Sequence, residues 1–120
     1  MNQIKADPFN KNCPSRMVLE IISDKWVILI IGILVKNSQH FGELKKLIQG
    51  ISQKVLSQLL KKLELNGLIN RQCYSEKPLR VEYSLTPLGL SLSVVCNQIT
   101  EWSINHIDEI LSARWSAKKK

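Results

Sequence analysis

No apolar run in this chain is long enough to cross a bilayer, because the longest, Trp26–Val35, has ten residues and a spanning helix needs roughly twenty. We expect this run to form a buried core helix. The three cysteines are an odd set without close pairs, which argues against a secreted disulfide framework. The segment Met1–Lys5 lacks the apolar stretch and cleavage site of a signal peptide. These absences predict a cytoplasmic protein with no membrane partner.

The motifs of catalysis are missing as well. The sequence contains no phosphate-binding glycine loop, no nucleophile elbow and no paired histidine motif. Cys13, His40, Cys73, Cys96 and His106 show none of the close spacings that zinc sites use. We therefore predict that the protein is not an enzyme and has neither a metal site nor a cofactor.

Acidic residues are scarce, with ten Asp and Glu against 17 Lys and Arg, and the net charge is +7. The excess is local: residues 36–80 hold nine Lys or Arg against three Glu, a balance of +6, whereas residues 81–120 are neutral. A concentration of this kind is typical of a surface that binds nucleic-acid phosphates. A solvated basic face without a special role is the alternative.

Within this basic half, the spacing of apolar residues predicts a helix-turn-helix. A first helix is predicted at Phe41–Ile48, Gly50 permits the tight turn that follows, and Ser52 is placed to cap a second helix. Asn66-Gly67 is predicted to end that second helix, because Gly suits a left-handed C-terminal cap.

A hairpin is predicted next, from Asn70 to Leu85, because apolar and polar residues alternate there. Thr86 is predicted to cap the last helix and Pro87 to open it, while Gln39-His40-Phe41 is predicted to form a short strand beside the hairpin.

Two helices are predicted to precede this motif. Cys13 is predicted to cap a short helix with Pro14 at its first position, and Ser23 or Asp24 to cap a second helix from about Lys25 to Val35. The fold class is therefore mainly α with a small β-hairpin wing, a winged helix-turn-helix with terminal dimerisation helices. The predicted parts are a flexible arm at 1–12, the domain at 13–115 with its dimerisation helix at about 87–113, and a basic tail at 116–120.

The second helix of the pair has the residue types that read a DNA major groove. Short polar and basic side chains occupy its outer face near its N-terminus, where recognition helices contact bases. The predicted DNA contacts of this helix are Ser52, Gln53, Lys54, Ser57, Gln58 and Lys61. The alternative interpretation is the solvated face of an amphipathic helix.

The hairpin has a positively charged tip, and its predicted DNA contacts are Lys77, Pro78 and Arg80. Such a tip can lie along the DNA backbone or enter the minor groove. An ordinary solubilising turn is the alternative, as is pairing of Arg80 with Glu82 or Glu76.

The last helix carries apolar residues at steps of three and four, close to the spacing of a coiled-coil seam, and it is longer than one small domain needs. We therefore predict a homodimer. The predicted interface residues are Val95, Ile99, Trp102, His106 and Ile110.

Cys13 is predicted to be a candidate redox-sensing thiol. A position at a helix N-terminus, with Lys11 and Arg16 close in sequence, favours the reactive thiolate. The alternative is a small buried apolar residue, and Cys73 and Cys96 are interpreted as packing residues. Trp26 is also interpreted as packing, with the lining of an effector pocket as its alternative role.

Together these segments resemble the HxlR family of bacterial winged-helix regulators, whose architecture is related to the MarR group. The motifs that carry the resemblance are Cys13-Pro14, Asp24-Lys25-Trp26, Phe41-Gly42-Glu43-Leu44, the stretch from Gly50 to Leu56 and the stretch from Arg80 to Gly89. The resemblance implies a homodimer joined through its terminal helices, and a thiol sensor in those members that use the cysteine matching Cys13. The lysine-rich C-terminus, Cys73 and Cys96 depart from the family pattern.

The function predicted from all of this is a sequence-specific, double-stranded DNA-binding transcriptional regulator. It would act as a homodimer on a pseudo-palindromic operator, with thiol chemistry at Cys13 as a candidate switch. The alternatives are a winged-helix protein-interaction module that does not bind DNA and a small-molecule-responsive regulator without a redox role.

Overall fold

The computed structural model describes residues 4–76 and 78–118, which form five α-helices and one three-stranded antiparallel sheet of order β1-β3-β2. This architecture confirms the predicted winged helix-turn-helix. None of the described helices is both long and apolar enough to span a membrane. The elements are α1 (Ser15–Ile22), α2 (Lys25–Leu34), β1 (Gln39–His40), α3 (Phe41–Leu47), α4 (Gln53–Leu65), β2 (Ile69–Glu76), β3 (Leu79–Leu85) and α5 (Pro87–Lys118).

Helix α2 lies at the centre of the core, as its apolar sequence predicts. Of the two predicted caps it uses Asp24, whose carboxylate accepts hydrogen bonds from the backbone N–H groups of Trp26 at 2.8 Å and Val27 at 3.4 Å. The cap satisfies donors that the first turn of a helix leaves without partners. The buried side chains of α2 are Val27, Ile30, Ile31 and Leu34.

The helix-turn-helix follows the predicted plan. Helix α3 ends at Leu47, and the turn passes through Gly50 at φ +90°, a conformation that favours glycine. The Ser52 hydroxyl accepts a hydrogen bond from the Val55 N–H at 3.1 Å and so caps α4. The side chains that α4 buries against the core are Leu56, Leu59, Leu60 and Leu63.

The wing is the β2–β3 hairpin, which starts at Ile69, one residue before its predicted start. The register runs from Ile69 opposite Leu85 to Glu76 opposite Leu79. Strand β1 pairs with the other edge of β3, and this confirms the predicted strand beside the wing.

A compact junction joins the end of α4, the end of β3 and the start of α5. Thr86 donates its N–H to the Leu68 carbonyl at 3.1 Å and its hydroxyl to the Gly67 carbonyl at 2.6 Å. The same hydroxyl accepts from the Gly89 N–H at 3.0 Å, which confirms Thr86 as the cap of α5. A Cβ on Gly89 would overlap the Leu68 carbonyl oxygen, so only glycine permits this close approach.

Two predictions about cysteines are wrong. Pro14, not Cys13, occupies the N-cap position of α1, and no side chain caps this helix, because the Cys13 sulfur instead accepts hydrogen bonds from Asp7 and Ser15. Cys73 is exposed rather than packed. The start of the edge strand β2 is covered, whereas every residue from Asn70 to Tyr74 is exposed.

Replacing Gly89 with alanine is expected to destabilise the fold by about 1–3 kcal/mol, the usual cost of forcing an extra methyl group into a filled site. Urea denaturation measures this as a fall in the free energy of unfolding. Gly32→Ala is the matched control, because nothing lies within 4 Å of a Cβ at that helical position. This control is expected to gain about 0.5–1 kcal/mol from helix propensity. Equal effects of both substitutions would contradict the role given to Gly89.

Candidate nucleic-acid interface

The outer face of α4 gathers the polar residues predicted for the recognition helix. Gln53, Lys54, Gln58 and Lys61 are exposed and Ser57 is half-buried, on the side opposite the leucines that face the core. Their positions follow from helical periodicity, since the buried residues take one side and leave the other to solvent. The result is a polar, basic surface that no other described element covers.

Ser52 begins this surface but has a structural role as well. Its oxygen accepts the capping hydrogen bond from Val55, so its hydroxyl hydrogen is the part that remains able to donate to another group. The residue therefore holds the first turn of α4 in place and can still contact a ligand at its N-terminus.

The wing presents Arg80 and Pro78, which are both exposed; the third predicted wing contact, Lys77, lies outside the described residues. No ion pair joins Arg80 to Glu82, although the sequence offers that pairing. The side chain of Glu76, the other partner that the sequence offers, lies outside the described part of the structure, so contact of Arg80 with an external anion stays a prediction.

His40 attaches the wing to the helix-turn-helix, a role that the sequence analysis did not identify. Its Nδ1 lies 2.8 Å from the Val81 carbonyl oxygen on β3, and its backbone N–H donates to Glu43 Oε1 at 2.9 Å. Glu43 three residues after His40 is a recognisable capping signal. The contact with Val81, 41 residues away, depends on the tertiary fold.

Trp26 packs beside the turn between α3 and α4. Its side chain is half-buried against the core, and its Cη2 atom lies 3.8 Å from the position of a Cβ on Gly50. The Lys25 ammonium lies 4.7 Å from the centre of the indole ring, within the range of a cation–π contact. These contacts favour the packing interpretation of Trp26.

Helix α5 has an inward face and a long outward apolar face. Gly89, Ser93 and Cys96 are its buried residues, at steps of four and three. The residues predicted for dimerisation lie elsewhere around the helix: Ile99 is 42% exposed, Trp102 56% and Ile110 49%. Val95 is also exposed, while His106 is half-buried and stacks on Trp102 with ring centres 4.4 Å apart.

Cys13 is half-buried and lies two residues before α1 begins at Ser15. Hydrogen bonds lower its thiol pKa, first from the Ser15 hydroxyl, then from the Ser15 backbone N–H, then from the Asp7 N–H. The sequence analysis assigned this effect to the helix N-terminus and to Lys11 and Arg16. The Ser15 N–H belongs to that N-terminus, whereas neither Lys11 nor Arg16 is among the causes. The Arg16 guanidinium instead donates to the carbonyls of Pro8 at 2.8 Å and Phe9 at 3.0 Å.

The family of the chain is decided by a match over most of its length. The family model of the HxlR-like helix-turn-helix matches residues 21–111. The chain belongs to this family. It is thus a transcriptional regulator of the helix-turn-helix type, and proteins of this kind are not enzymes.

Known relatives agree with this assignment. The chain is 39% identical over 106 residues to the HTH-type transcriptional regulator YtfH of Escherichia coli (strain K12), covering 88% of this chain and 84% of that protein. The solved YtfH structure from Salmonella typhimurium has a TM-score of 0.87 and 35% identity, covering 92% of this chain and 98% of the other. The solved reduced form of the redox regulator HypR has a TM-score of 0.76 and 30% identity, covering 82% and 98%. Solved MarR-family regulators share the architecture.

Because hydrogen bonds stabilise the Cys13 thiolate, Cys13 is expected to react with iodoacetamide at lower pH than an ordinary thiol. Ser15→Ala removes the hydroxyl but keeps the backbone N–H. It should therefore raise the pKa of Cys13 part of the way towards its usual value and shift the rate profile to higher pH. Peptide-resolved mass spectrometry of alkylation across pH measures this shift.

Cys96 is the internal control, since burial raises the pKa of its thiol and should keep its alkylation slow in both proteins. An unchanged Cys13 profile in Ser15→Ala would show that the hydroxyl does not stabilise the thiolate.

Proposed function

We propose that this regulator binds double-stranded DNA sequence-specifically, as a homodimer, at a pseudo-palindromic operator. The observation that carries the proposal is the uncovered polar and basic face of α4 beside an exposed wing. A major groove about 12 Å wide admits a single helix, and the side chains at its N-terminal end then reach base edges.

The residues of α4 and the wing divide between base reading and phosphate binding. Gln53 has the amide that pairs with adenine, and Ser57 and Gln58 have donors and acceptors for base edges. Lys61 and Arg80 supply positive charge to phosphates, which raises affinity without distinguishing sequence.

A second copy of the chain is the proposed partner of the outward face of α5. Trp102 and Ile110 expose about half of their surface, and burying large apolar side chains contributes about 1.5–3 kcal/mol each. We expect two-fold pairing of this helix to place two copies of α4 on one side of a duplex. The half-sites would then lie one or two helical turns apart.

The proposal is tested by selecting duplexes from a random-sequence pool with the full-length protein. Fluorescence anisotropy then compares a selected duplex with a scrambled one, and sedimentation gives the number of chains bound. We expect two chains per duplex, an inverted repeat, and selected binding about a thousandfold tighter than scrambled binding. Equal, weak binding to both duplexes would favour a protein-interaction module instead.

Arg80→Ala is expected to weaken binding to the selected and scrambled duplexes alike, because a phosphate contact carries no sequence information. The association constant falls as salt concentration rises, and loss of one such contact makes the slope of log K against log salt concentration shallower by about one. Anisotropy titrations at several salt concentrations measure the slope. If affinity and slope both stay unchanged, Arg80 does not contact the DNA backbone.

A thiol switch at Cys13 is the second candidate function, favoured by the hydrogen bonds that lower the pKa of this thiol. The related HypR is described as a redox regulator. Hydrogen peroxide oxidises a thiolate to sulfenic acid and is itself reduced to water. Oxidation would alter the bonds from Asp7 and Ser15 that join the arm to α1, and would thereby change how α1 packs against α2.

Cys13→Ser is expected to bind the selected duplex as the wild type does and to keep that affinity after peroxide treatment. The wild-type affinity is expected to change with peroxide and to recover with dithiothreitol. Cys73→Ser is the matched control, because it removes an exposed thiol on the wing. A Cys13→Ser protein that still responds to peroxide would exclude the switch at Cys13 and assign the response to another oxidisable residue. A wild type whose affinity peroxide does not change would favour a regulator controlled by a small molecule.

A further inference from the structure

A recess of ≈ 370 Å³ lies between α4 and the base of the wing. It is bounded by α4, by strands β2 and β3, and by the first residue of α3. The recess contains Arg71, which lies below the wing tip and is not among the predicted DNA contacts.

The α4 wall of the recess is polar. Ser57, Lys61 and Glu64 are spaced by four and three residues, so their side chains share one stripe of the helix. Lys61 and Glu64 are exposed and Ser57 is half-buried. This stripe is the part of the outer face of α4 that lies nearest the wing.

The opposite wall is formed by a cross-strand pair. Arg71 on β2 is the register partner of Tyr83 on β3, so the two side chains project from the same face of the sheet. Tyr83 is half-buried and packs against the core, whereas Arg71 is exposed. Phe41 and the buried Leu60 supply apolar lining.

The charges of the recess favour an anion. Arg71 and Lys61 contribute two positive charges and Glu64 one negative charge, while Ser57 and Tyr83 add hydroxyl donors. Among residues 4–76 and 78–118, no ion pair engages either cation. Arg, Lys, Ser and Tyr side chains are the groups that proteins use to contact phosphate oxygens in DNA.

We propose that this recess binds one phosphate of the DNA backbone, with Arg71 as its main ligand and Lys61 on the opposite wall. The inference rests on the proposed DNA-binding function. A duplex whose major groove receives the outer face of α4 must carry its backbone past the adjacent edge of that helix. The recess lies along this edge, between α4 and the wing. The phosphate then joins the helix and the wing to one point of the DNA.

Glu64 is the one acidic residue among those that line the recess, and its effect on DNA affinity can be tested separately from that of the two cations. Its carboxylate repels a phosphate beside Lys61 and Arg71, so its charge opposes the two cations. Removing a cation and removing this anion should therefore change DNA affinity in opposite directions, which a general loss of folding cannot do.

The experiment uses the full-length protein with a duplex selected from a random pool and a scrambled duplex. Arg71→Gln is expected to make the negative slope of log K against log salt concentration shallower by about one. It should also weaken binding to both duplexes about fivefold at 0.15 M salt. The ratio of the two affinities should stay unchanged, because a phosphate contact does not read sequence. Arg71→Lys should keep the slope and lose part of the affinity.

Glu64→Gln is expected to strengthen binding to both duplexes. Lys11→Gln, the matched control, removes the same charge from an exposed position before α1 and should leave the slope unchanged. Circular dichroism and urea denaturation of each variant establish that it is folded.

The results separate the two proposals. A wild type that binds neither duplex overturns both of them. A wild type that selects a sequence, together with an unchanged slope in Arg71→Gln, overturns the phosphate site alone. The phosphate site is also overturned if Arg71→Gln abolishes binding of free inorganic phosphate but leaves both duplex affinities unaltered, because the recess then holds a small anion.

Discussion

The hydrogen bonds of Thr86 are the constraint on which the arrangement of this molecule depends. One side chain and one N–H join the loop after α4, the end of β3 and the first turn of α5. Gly89 allows α5 to approach the Leu68 carbonyl closely. The three elements proposed to contact DNA or a second chain therefore meet at a single rigid junction, with no intervening linker to adjust their angles.

The basic surface, the exposed apolar surface and the Cys13 thiol lie on different elements around the α2 core. Helix α4 and the wing carry the polar and basic surface, and the far half of α5 carries the apolar surface. Cys13, whose thiol pKa is lowered by hydrogen bonds, lies just before α1. Because α2 is apolar on all sides, it packs against several elements at once. Helix α1, which follows Cys13, also lines one cavity with Asn66 after α4 and Leu88 on α5, so it adjoins both of these elements directly.

Local signals in the sequence predict most of the fold. The caps at Asp24, Ser52 and Thr86 each involve atoms within a few residues, so short motifs identify them. The recess beside Arg71 could not be predicted in this way, because its walls meet only through the sheet register and the packing of α4. The Ser15 hydroxyl and the Asp7 N–H were missed as causes of the lowered Cys13 pKa, because they depend on which of several nearby groups the folded arm brings into contact.

The length of α5 has a mechanical consequence. The helix has 32 residues, which makes it about 48 Å long, so a tilt of about 5° at the Thr86 junction moves its far end by about 4 Å. In a two-fold dimer joined through α5, a movement at the far end of the helix would in turn tilt the rest of the domain at the Thr86 junction. A small repacking where two C-terminal ends meet is amplified into a change in the separation of the two α4 helices, and the spacing between half-sites thereby becomes sensitive to events far from the DNA.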